Sequence, residues 1–344
     1  MPAAVRPVLV AALMLLVAAC ADAPAPVVAP PPAPKPPPVS MSPRLLEAAS
    51  AYRGYLNRVQ AISPAFADGG EVAQALRTGA RYEPGQLVRG AIVYGAIAAL
   101  QDRAFVSGLQ AYGRDPAQRR QMAFELIRDP AYARGLPGAA GAAALAVAAM
   151  GGEGQRLYDQ GKAVKQAAYD IQKSPWSRES VASRPERLAE AKAHANSMML
   201  GDSAETQRLS EAARGLTPIA LTPAEARFTT PSVSRALAIA ALAALGEAGE
   251  ANVDAVLGLT LEPNVAGCMT SARLNLYQCL AVARPHYEDV FCNGQHALMD
   301  TGRCLIRQAG LAEPVEARFV PDASSIARKM PTPKAPARRP ARNR

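Results

Sequence analysis

Four cysteines near the end of the chain could form disulfide bonds or bind a metal ion. Two of the three histidines, His286 and His296, lie in the same region. Zinc ligands usually come in close pairs, about two to four residues apart, whereas neighbouring cysteines here are eleven to thirteen residues apart. The spacing therefore favours two disulfides, with a zinc site as the alternative. The four cysteines are Cys268, Cys279, Cys292 and Cys304.

Helix geometry selects one of the three possible pairings. Helical patterns lie on both sides of Arg284-Pro285. Two cysteines eleven residues apart in one helix are about 16 Å apart, which is beyond disulfide reach. An antiparallel hairpin over 265–308 brings the inner two cysteines together at the turn and the outer two together at the open end. The predicted disulfides are Cys268–Cys304 and Cys279–Cys292.

The second helix of this hairpin has an irregular spacing. Cys292 and Cys304 are twelve residues apart, which in an unbroken α-helix turns them off a common face by about 120°. Asn293-Gly294 follows Cys292 and is turn-prone. We therefore expect a local break or unwinding there, which would restore the alignment.

Other residues give little evidence of catalysis. The sequence contains no G-x-S-x-G, H-E-x-x-H, Walker or dinucleotide-binding motif. Glu179-Ser180 resembles the Glu-Ser pair of lytic transglycosylases, although the glycine-rich motif that follows it in that family is missing. We therefore assign no catalytic residue, no cofactor and no metal, and the question of an enzymatic role stays open.

A polar and aromatic group surrounds the cysteines and has two interpretations. Its members could line a groove, or they could belong to solvated helix faces with a few packing tyrosines. His194 is expected at the surface of a polar helix over 186–199. The group consists of Arg273, Tyr277, Arg284, Tyr287 and Glu288.

The N-terminus has the parts of an export signal. Arg6 provides a positive charge, an apolar run covers 8–17, and small residues precede Cys20. The apolar run is too short to span a bilayer, which takes about 20 residues. We predict a signal peptide over 1–19, so that the mature protein meets oxidising conditions and its clustered cysteines form disulfides.

Val17-Ala18-Ala19-Cys20 resembles the lipobox of bacterial lipoprotein precursors. The resemblance is confined to this segment, and it implies that Cys20 carries a diacylglycerol and an amide-linked acyl chain after cleavage. Several acyl chains make a durable bilayer anchor, whereas one holds only marginally. Ala21 stands where an aspartate would favour inner-membrane retention, so the resemblance implies the periplasmic face of the outer membrane.

Low-complexity segments flank the body of the chain. The stretch 20–43 is rich in Pro, Ala and Val and suits an extended stalk, on the order of 70 Å long at full extension, or a proline-rich ligand. The tail over 320–344 is basic and is expected to be disordered. It carries seven of the positive charges behind the net charge of +9, so the body is nearly neutral. We expect the tail to contact anionic envelope components, and we exclude nucleic acid for an exported protein.

The body itself is expected to be all-α. Alanine supplies much of its apolar content, and alanine favours helices over strands. A capping residue directly before proline marks a helix start, and five such pairs occur. They are Ser42-Pro43, Asp115-Pro116, Asp129-Pro130, Thr222-Pro223 and Thr230-Pro231.

Three helices can be predicted between these signals. One covers 86–112. Two are apolar on every side, over 138–150 and 236–245, and are expected at the centre of the fold, the first ending at Gly151-Gly152 and Gly154. We divide the body into helical subdomains over 44–175 and 185–315, although the stretch 174–185 suits a long loop across one bundle equally well.

These features predict a membrane-anchored periplasmic lipoprotein that acts as a non-enzymatic scaffold or adaptor in the cell envelope, with an unidentified protein partner. The alternatives are a cell-wall hydrolase or another periplasmic enzyme, and a carrier of a hydrophobic ligand. A deep cleft with a buried carboxylate would favour the enzyme, and an apolar cavity among the alanine-rich helices would favour the carrier.

Overall fold

The computed structural model describes residues 35–226 and 229–316. Thirteen α-helices make up these residues, with only two isolated β-bridges and no strand among them, which confirms the all-α prediction. The helices are α1 Pro43–Gln60, α2 Gly69–Ala80, α3 Pro84–Ala99, α4 Arg103–Tyr112, α5 Pro116–Arg128, α6 Ala139–Asp170, α7 Arg184–Ala195, α8 Ser203–Ala213, α9 Pro231–Ala244, α10 Val253–Gly258, α11 Pro263–Val282, α12 His286–Cys292 and α13 Thr301–Gln308. Short 3₁₀ turns cover Pro130–Gly135, Ile171–Lys173, Trp176–Arg178 and Glu250–Asn252, and a π-helix covers Asn293–Asp300.

Four of the five predicted capping pairs begin a helix. In each, the side-chain oxygen of the capping residue accepts a hydrogen bond from a backbone amide of the first turn, which has no partner within the helix. The pair at Asp129 begins a 3₁₀ turn rather than an α-helix. The four caps are Ser42, Asp115, Asp129 and Thr230.

The helix start predicted at Thr222-Pro223 is wrong. Residues 218–226 are irregular, because their backbone bonds to other parts of the fold. The amide of Ala224 donates to the carbonyl of Ala144 at 3.2 Å, and the amide of Ile219 donates to the Gln101 side chain at 3.4 Å. Tertiary hydrogen bonds therefore replace the local helix that the capping pair suggested.

The single helix predicted over 86–112 is also wrong, because the chain breaks between α3 and α4. Asp102 caps α4, and its side chain accepts from the amide of Phe105 at 2.9 Å. Gln101 is held by α8, since its amide donates to the carbonyl of Ala212 at 2.6 Å. These contacts stabilise a bend that apolar periodicity alone does not reveal.

The predicted end of the helix over 138–150 is wrong as well. Helix α6 continues through Gly151, Gly152 and Gly154 to Asp170. Gly154 lies against Leu305 and Ile306 of α13, at a place too close for a Cβ atom. Close packing against the hairpin therefore offsets the cost of glycine in a helix, which is about 1 kcal/mol per residue.

Helices α3 and α9 lie at the centre of the core. Helix α3 packs against α1, α6 and α9, and residues 236–245 of α9 are fully buried, as predicted. The start of α6 is less central than expected, since Ala140 and Gly141 are exposed. Alanine dominates these contacts, and its small side chain lets the helix axes approach closely.

The disulfide-stapled hairpin is confirmed. Cys268 is bonded to Cys304 with a Cα–Cα distance of 5.9 Å, and Cys279 is bonded to Cys292 with a Cα–Cα distance of 5.7 Å. The expected unwinding after Cys292 takes the form of the π-helix. A π-helix turns the chain less per residue than an α-helix. It therefore brings Cys292 and Cys304 onto the face that meets α11.

The chain before α1 lies against the body. From residue 36 to residue 42 it is extended, and the amides of Ser40 and Ser42 donate to the carbonyls of Ala243 and Ala248 at 3.0 and 2.8 Å. Residues 1–34, including Cys20, and the tail after residue 316 lie outside the described residues.

The stretch 174–185 contains one 3₁₀ turn, and the buried apolar residues on both sides of it belong to one continuous cluster.

Candidate functional site

An open cleft of about 390 Å³ lies where α2, α7 and α12 meet. Val72 and Ala73 of α2 form its apolar wall, and α7 and α12 supply its charged groups. Glu186 and Glu190 are one helical turn apart on α7, so they lie on the same rim of the cleft. Together these residues form a small concave surface of mainly acidic character.

A buried ion pair closes the base of this cleft. The Nη1 atom of Arg187 donates to Oδ1 of Asp289, and both side chains are more than nine-tenths buried. The Nη2 atom of Arg187 donates to the carbonyl of Leu280, and to that of Ala283 at 3.3 Å. Arg187 thereby ties α7 to α12 and to the end of α11.

Burial determines the protonation of Asp289. It raises the pKa of this carboxyl from 3.8 to about 6, and the nearby Arg187 guanidinium only partly opposes the rise. A carboxyl that titrates near pH 6 can donate a proton at slightly acidic pH. Perturbed carboxyls in clefts are candidate functional groups, although structural ion pairs also shift pKa values.

His286 is the first residue of α12, and it lines the cleft together with Arg187 and Asp289. Its imidazole packs against Gly69, where an added Cβ atom would overlap the ring. Its ring centroid is 6.2 Å from that of Trp176. The His286 amide donates to the carbonyl of Glu179 at 3.3 Å. Ring contacts with Gly69 and Trp176, together with the backbone hydrogen bond to Glu179, therefore hold His286 at the cleft edge.

The raised pKa of Asp289 gives stability a definite pH dependence. Because the folded state holds this proton more tightly than the unfolded chain, Asp289 stabilises the fold most below about pH 4, and this contribution is lost as the pH rises to above 6. Relative to Asp289→Asn, the wild-type unfolding free energy should fall by up to about 3 kcal/mol between pH 4 and 7.

Denaturant unfolding at several pH values measures this difference. Asp254→Asn is the matched control, since that side chain is 86% exposed and only forms a surface ion pair with Arg44. The control should follow the wild-type protein across this pH range. A difference between wild type and Asp289→Asn that stays constant from pH 4 to 7 would contradict the raised pKa.

A second buried group of charges connects α1, α6 and α8. The Glu153 carboxylate on α6 is fully buried and pairs with Arg53 of α1 and with Arg156. Arg53 also lies 3.6 Å from Glu205 of α8, and its guanidinium is 5.1 Å from the centroid of the Tyr94 ring. We call this group the Glu153 network, and its contacts hold helices together.

The cysteines and histidines that the sequence suggests as metal ligands have other partners. All four cysteines are in disulfides, so none is a thiolate ligand. The Nδ1 atom of His296 lies 2.8 Å from Oδ2 of Asp300, and His194 lies 3.6 Å from Glu190. Within residues 35–226 and 229–316, no three His, Cys, Asp or Glu side chains are grouped as a metal site.

The Glu179-Ser180 pair lies outside the cleft. Both residues are exposed, and Ser180 forms an isolated antiparallel bridge with Pro285. The pair therefore positions the turn before α12 through its backbone, and its side chains do not line the pocket where a substrate would be enclosed.

The polar and aromatic group around the cysteines is divided between two places. Arg273 donates to the carbonyl of Ala195 at 3.1 Å, and burial raises the pKa of the half-buried Tyr277 on the same helix. Glu288 instead accepts from the amide of Arg284 at 2.7 Å. These contacts are those of packing and capping residues rather than of one groove.

Comparisons with known proteins were made for the whole chain. No family model, curated protein or solved structure matches it. None of the helices in the described part of the chain is long and apolar enough to cross a membrane. Similarity therefore assigns no activity.

The pair Arg187–Asp289 was missed by sequence reasoning, because its members are 102 positions apart and neither belongs to a recognisable motif.

Proposed function

We propose that this protein is a lipid-anchored periplasmic adaptor that binds a protein partner through an exposed surface on α5 and the adjacent 3₁₀ turn. The observation that carries the proposal is a combination of exposed aromatic and arginine side chains on this surface. Cys20 provides the anchor at the outer membrane, and the basic tail adds contacts with anionic envelope components.

The partner surface consists of Phe124, Arg128 and Tyr132. The Phe124 and Tyr132 side chains are 58% and 45% exposed, and the Arg128 guanidinium is 5.7 Å from the Phe124 ring centroid. Helix α5 buries only Ala123 and Leu126 in the core. Aromatic residues and arginine are enriched at protein interfaces and among the residues that contribute most binding energy. Because Arg128 already pairs with Glu125, this composition favours a partner with apolar side chains.

The disulfides support an exported location. Both cysteine pairs are bonded at opposite ends of the hairpin, and such bonds persist in oxidising compartments such as the periplasm. The lipobox-like segment before Cys20 agrees with that location. Export, anchoring and an interaction surface together describe an adaptor better than a soluble secreted enzyme.

Crosslinking in intact cells followed by membrane fractionation tests this proposal. The wild-type chain is expected in the membrane fraction with a crosslinked partner. Cys20→Ala should move to the soluble fraction, because it lacks the acylated thiol. Phe124→Ser combined with Tyr132→Ser should stay in the membrane fraction and lose the partner.

A surface variant elsewhere controls for non-specific effects. Leu274 on α11 is 51% exposed, so Leu274→Ser removes a comparable apolar group from a different helix. It should keep both the anchor and the partner. A partner that survives the Phe124 and Tyr132 changes would contradict the assigned surface, and membrane retention of Cys20→Ala would contradict the anchor.

A cell-wall hydrolase is the second candidate, and the cleft at α2, α7 and α12 favours it. Asp289 is a buried carboxyl with a pKa of about 6, which suits a general acid. Release of soluble fragments from peptidoglycan by the wild-type chain, and not by Asp289→Asn, would favour the hydrolase over the adaptor.

A further inference from the structure

An open groove of about 550 Å³ lies between the end of α1, the connecting segment 61–68 and α2. Its volume is within the range of small-molecule sites, about 300–1,000 Å³. Ile62, Phe66 and Ala75 provide apolar lining, and each of them is also part of the hydrophobic core. The groove therefore offers a fixed apolar floor to a short alkyl or aromatic group.

One wall of the groove carries an arginine with no acidic partner. Within the described ranges, no carboxylate lies at ion-pair distance from the exposed Arg58 side chain, and the charged residue that most affects its pKa is Arg81. Burial lowers the pKa of Arg58, and the like charge of Arg81 lowers it further. An anionic group bound at Arg58 would offset both effects, because a nearby negative charge favours the charged guanidinium.

Glu71, the acidic residue that lines the groove, accepts a hydrogen bond from the backbone. Glu71 accepts a hydrogen bond from the amide of Ala67 at 2.8 Å, while Asp68 accepts from the amides of Gly70 and Glu71. This is a reciprocal capping arrangement at the start of α2. Glu71 keeps its negative charge, but its carboxylate is held at the start of α2 and is not among the groups that shift the pKa of Arg58, so the Arg58 end of the groove remains positive.

We propose that this groove binds a small amphiphile with an anionic head and a short apolar tail. The head pairs with Arg58, and the tail lies on Ile62, Phe66 and Ala75. The opposite charge of the head and the apolar floor together select this ligand class over neutral or cationic amphiphiles. The site is separate from the surface on α5, so it does not depend on the adaptor proposal.

Calorimetric titration with decanoate, below the concentration at which it forms micelles, tests the site on the purified chain. The wild-type protein should bind one decanoate, and Arg58→Gln should weaken the binding by about tenfold, the effect of losing one hydrogen bond to a charged group. Arg114→Gln is the matched control, because it removes one exposed arginine from the turn between α4 and α5, away from the groove, and should leave the affinity unchanged.

Further measurements separate the possible outcomes. Decyltrimethylammonium, with the same tail and the opposite charge, should bind at least tenfold more weakly than decanoate (about 1.4 kcal/mol). Arg81→Gln provides a second test if Arg58→Gln fails to fold, and it should also weaken binding. Equal affinity for the two amphiphiles, unchanged binding by both arginine variants, or no decanoate binding to the wild-type protein would overturn the proposal. Changes at Phe124 and Tyr132 should leave decanoate binding intact.

Discussion

Gly161→Ala is expected to destabilise the protein by about 1–3 kcal/mol or more, the cost of overpacking a close contact. Helix α6 meets the π-helix at this residue. A Cβ atom on Gly161 would lie 2.6 Å from the backbone nitrogen of Met299 and 2.8 Å from the carbonyl oxygen of Gly294. Both neighbours are backbone atoms, so the contact can be relieved only by moving one helix away from the other.

The same substitution nine residues earlier should have the opposite sign. No atom lies within 4 Å of a Cβ atom added at Gly152, which is on the same helix. Gly152→Ala should therefore stabilise the protein by about 0.5–1 kcal/mol, because alanine loses less backbone entropy in a helix than glycine. Chemical denaturation of both variants with the disulfides intact measures this contrast. Similar shifts in both variants would show that α6 does not approach the hairpin this closely.

Glu153→Ala should cost about 3 kcal/mol, at the lower end of the 3–5 kcal/mol typical of a broken buried ion pair. The carboxylate is fully buried, and removing it leaves the Arg53 guanidinium, which is only 15% exposed, without its main partner. Two features limit the loss. Arg156 is half-exposed and can be hydrated, and Arg53 keeps Glu205 at 3.6 Å.

Glu125→Gln is the control for the Glu153 network. Glu125 pairs with Arg128 one helical turn away on the exposed helix α5. Such a surface pair contributes less than about 1 kcal/mol, and its contribution falls with added salt. Unfolding free energies measured at low and high salt compare the two variants. Equal costs for both would mean that the Glu153 network is no stronger than a surface ion pair.

The disulfide pairing could be predicted from the sequence because it depends on local geometry. Helix rise and a single proline turn determine which cysteines meet, and both can be inferred from a short segment. Even the irregular spacing between Cys292 and Cys304 pointed to unwinding at Asn293-Gly294. The capping pairs succeeded for the same reason, since each involves atoms within one turn of the helix.

Features that depend on distant residues could not be predicted. The glycines of α6 suggest a helix end locally, and their partners in α13 and the π-helix lie far along the chain. Thr222 has the form of a cap, but backbone groups of α6 compete for the same segment. Asp289 is an ordinary first-turn acid until Arg187 is packed against it. In each case tertiary contacts outweigh a local preference of about 1 kcal/mol.

The docked segment 36–42 shortens the stretch of chain that can separate the body from an N-terminal anchor. Its hydrogen bonds to Ala243 and Ala248 fix the point where the chain leaves the body. In the proposed acylated form, about fifteen residues separate Cys20 from the docked segment, a length of about 50 Å at full extension. In that proposed form, a partner within reach of the tethered body would meet it at a raised local concentration. A longer segment between Cys20 and residue 36 would therefore change how far the proposed anchored form reaches from the bilayer, without altering any binding surface.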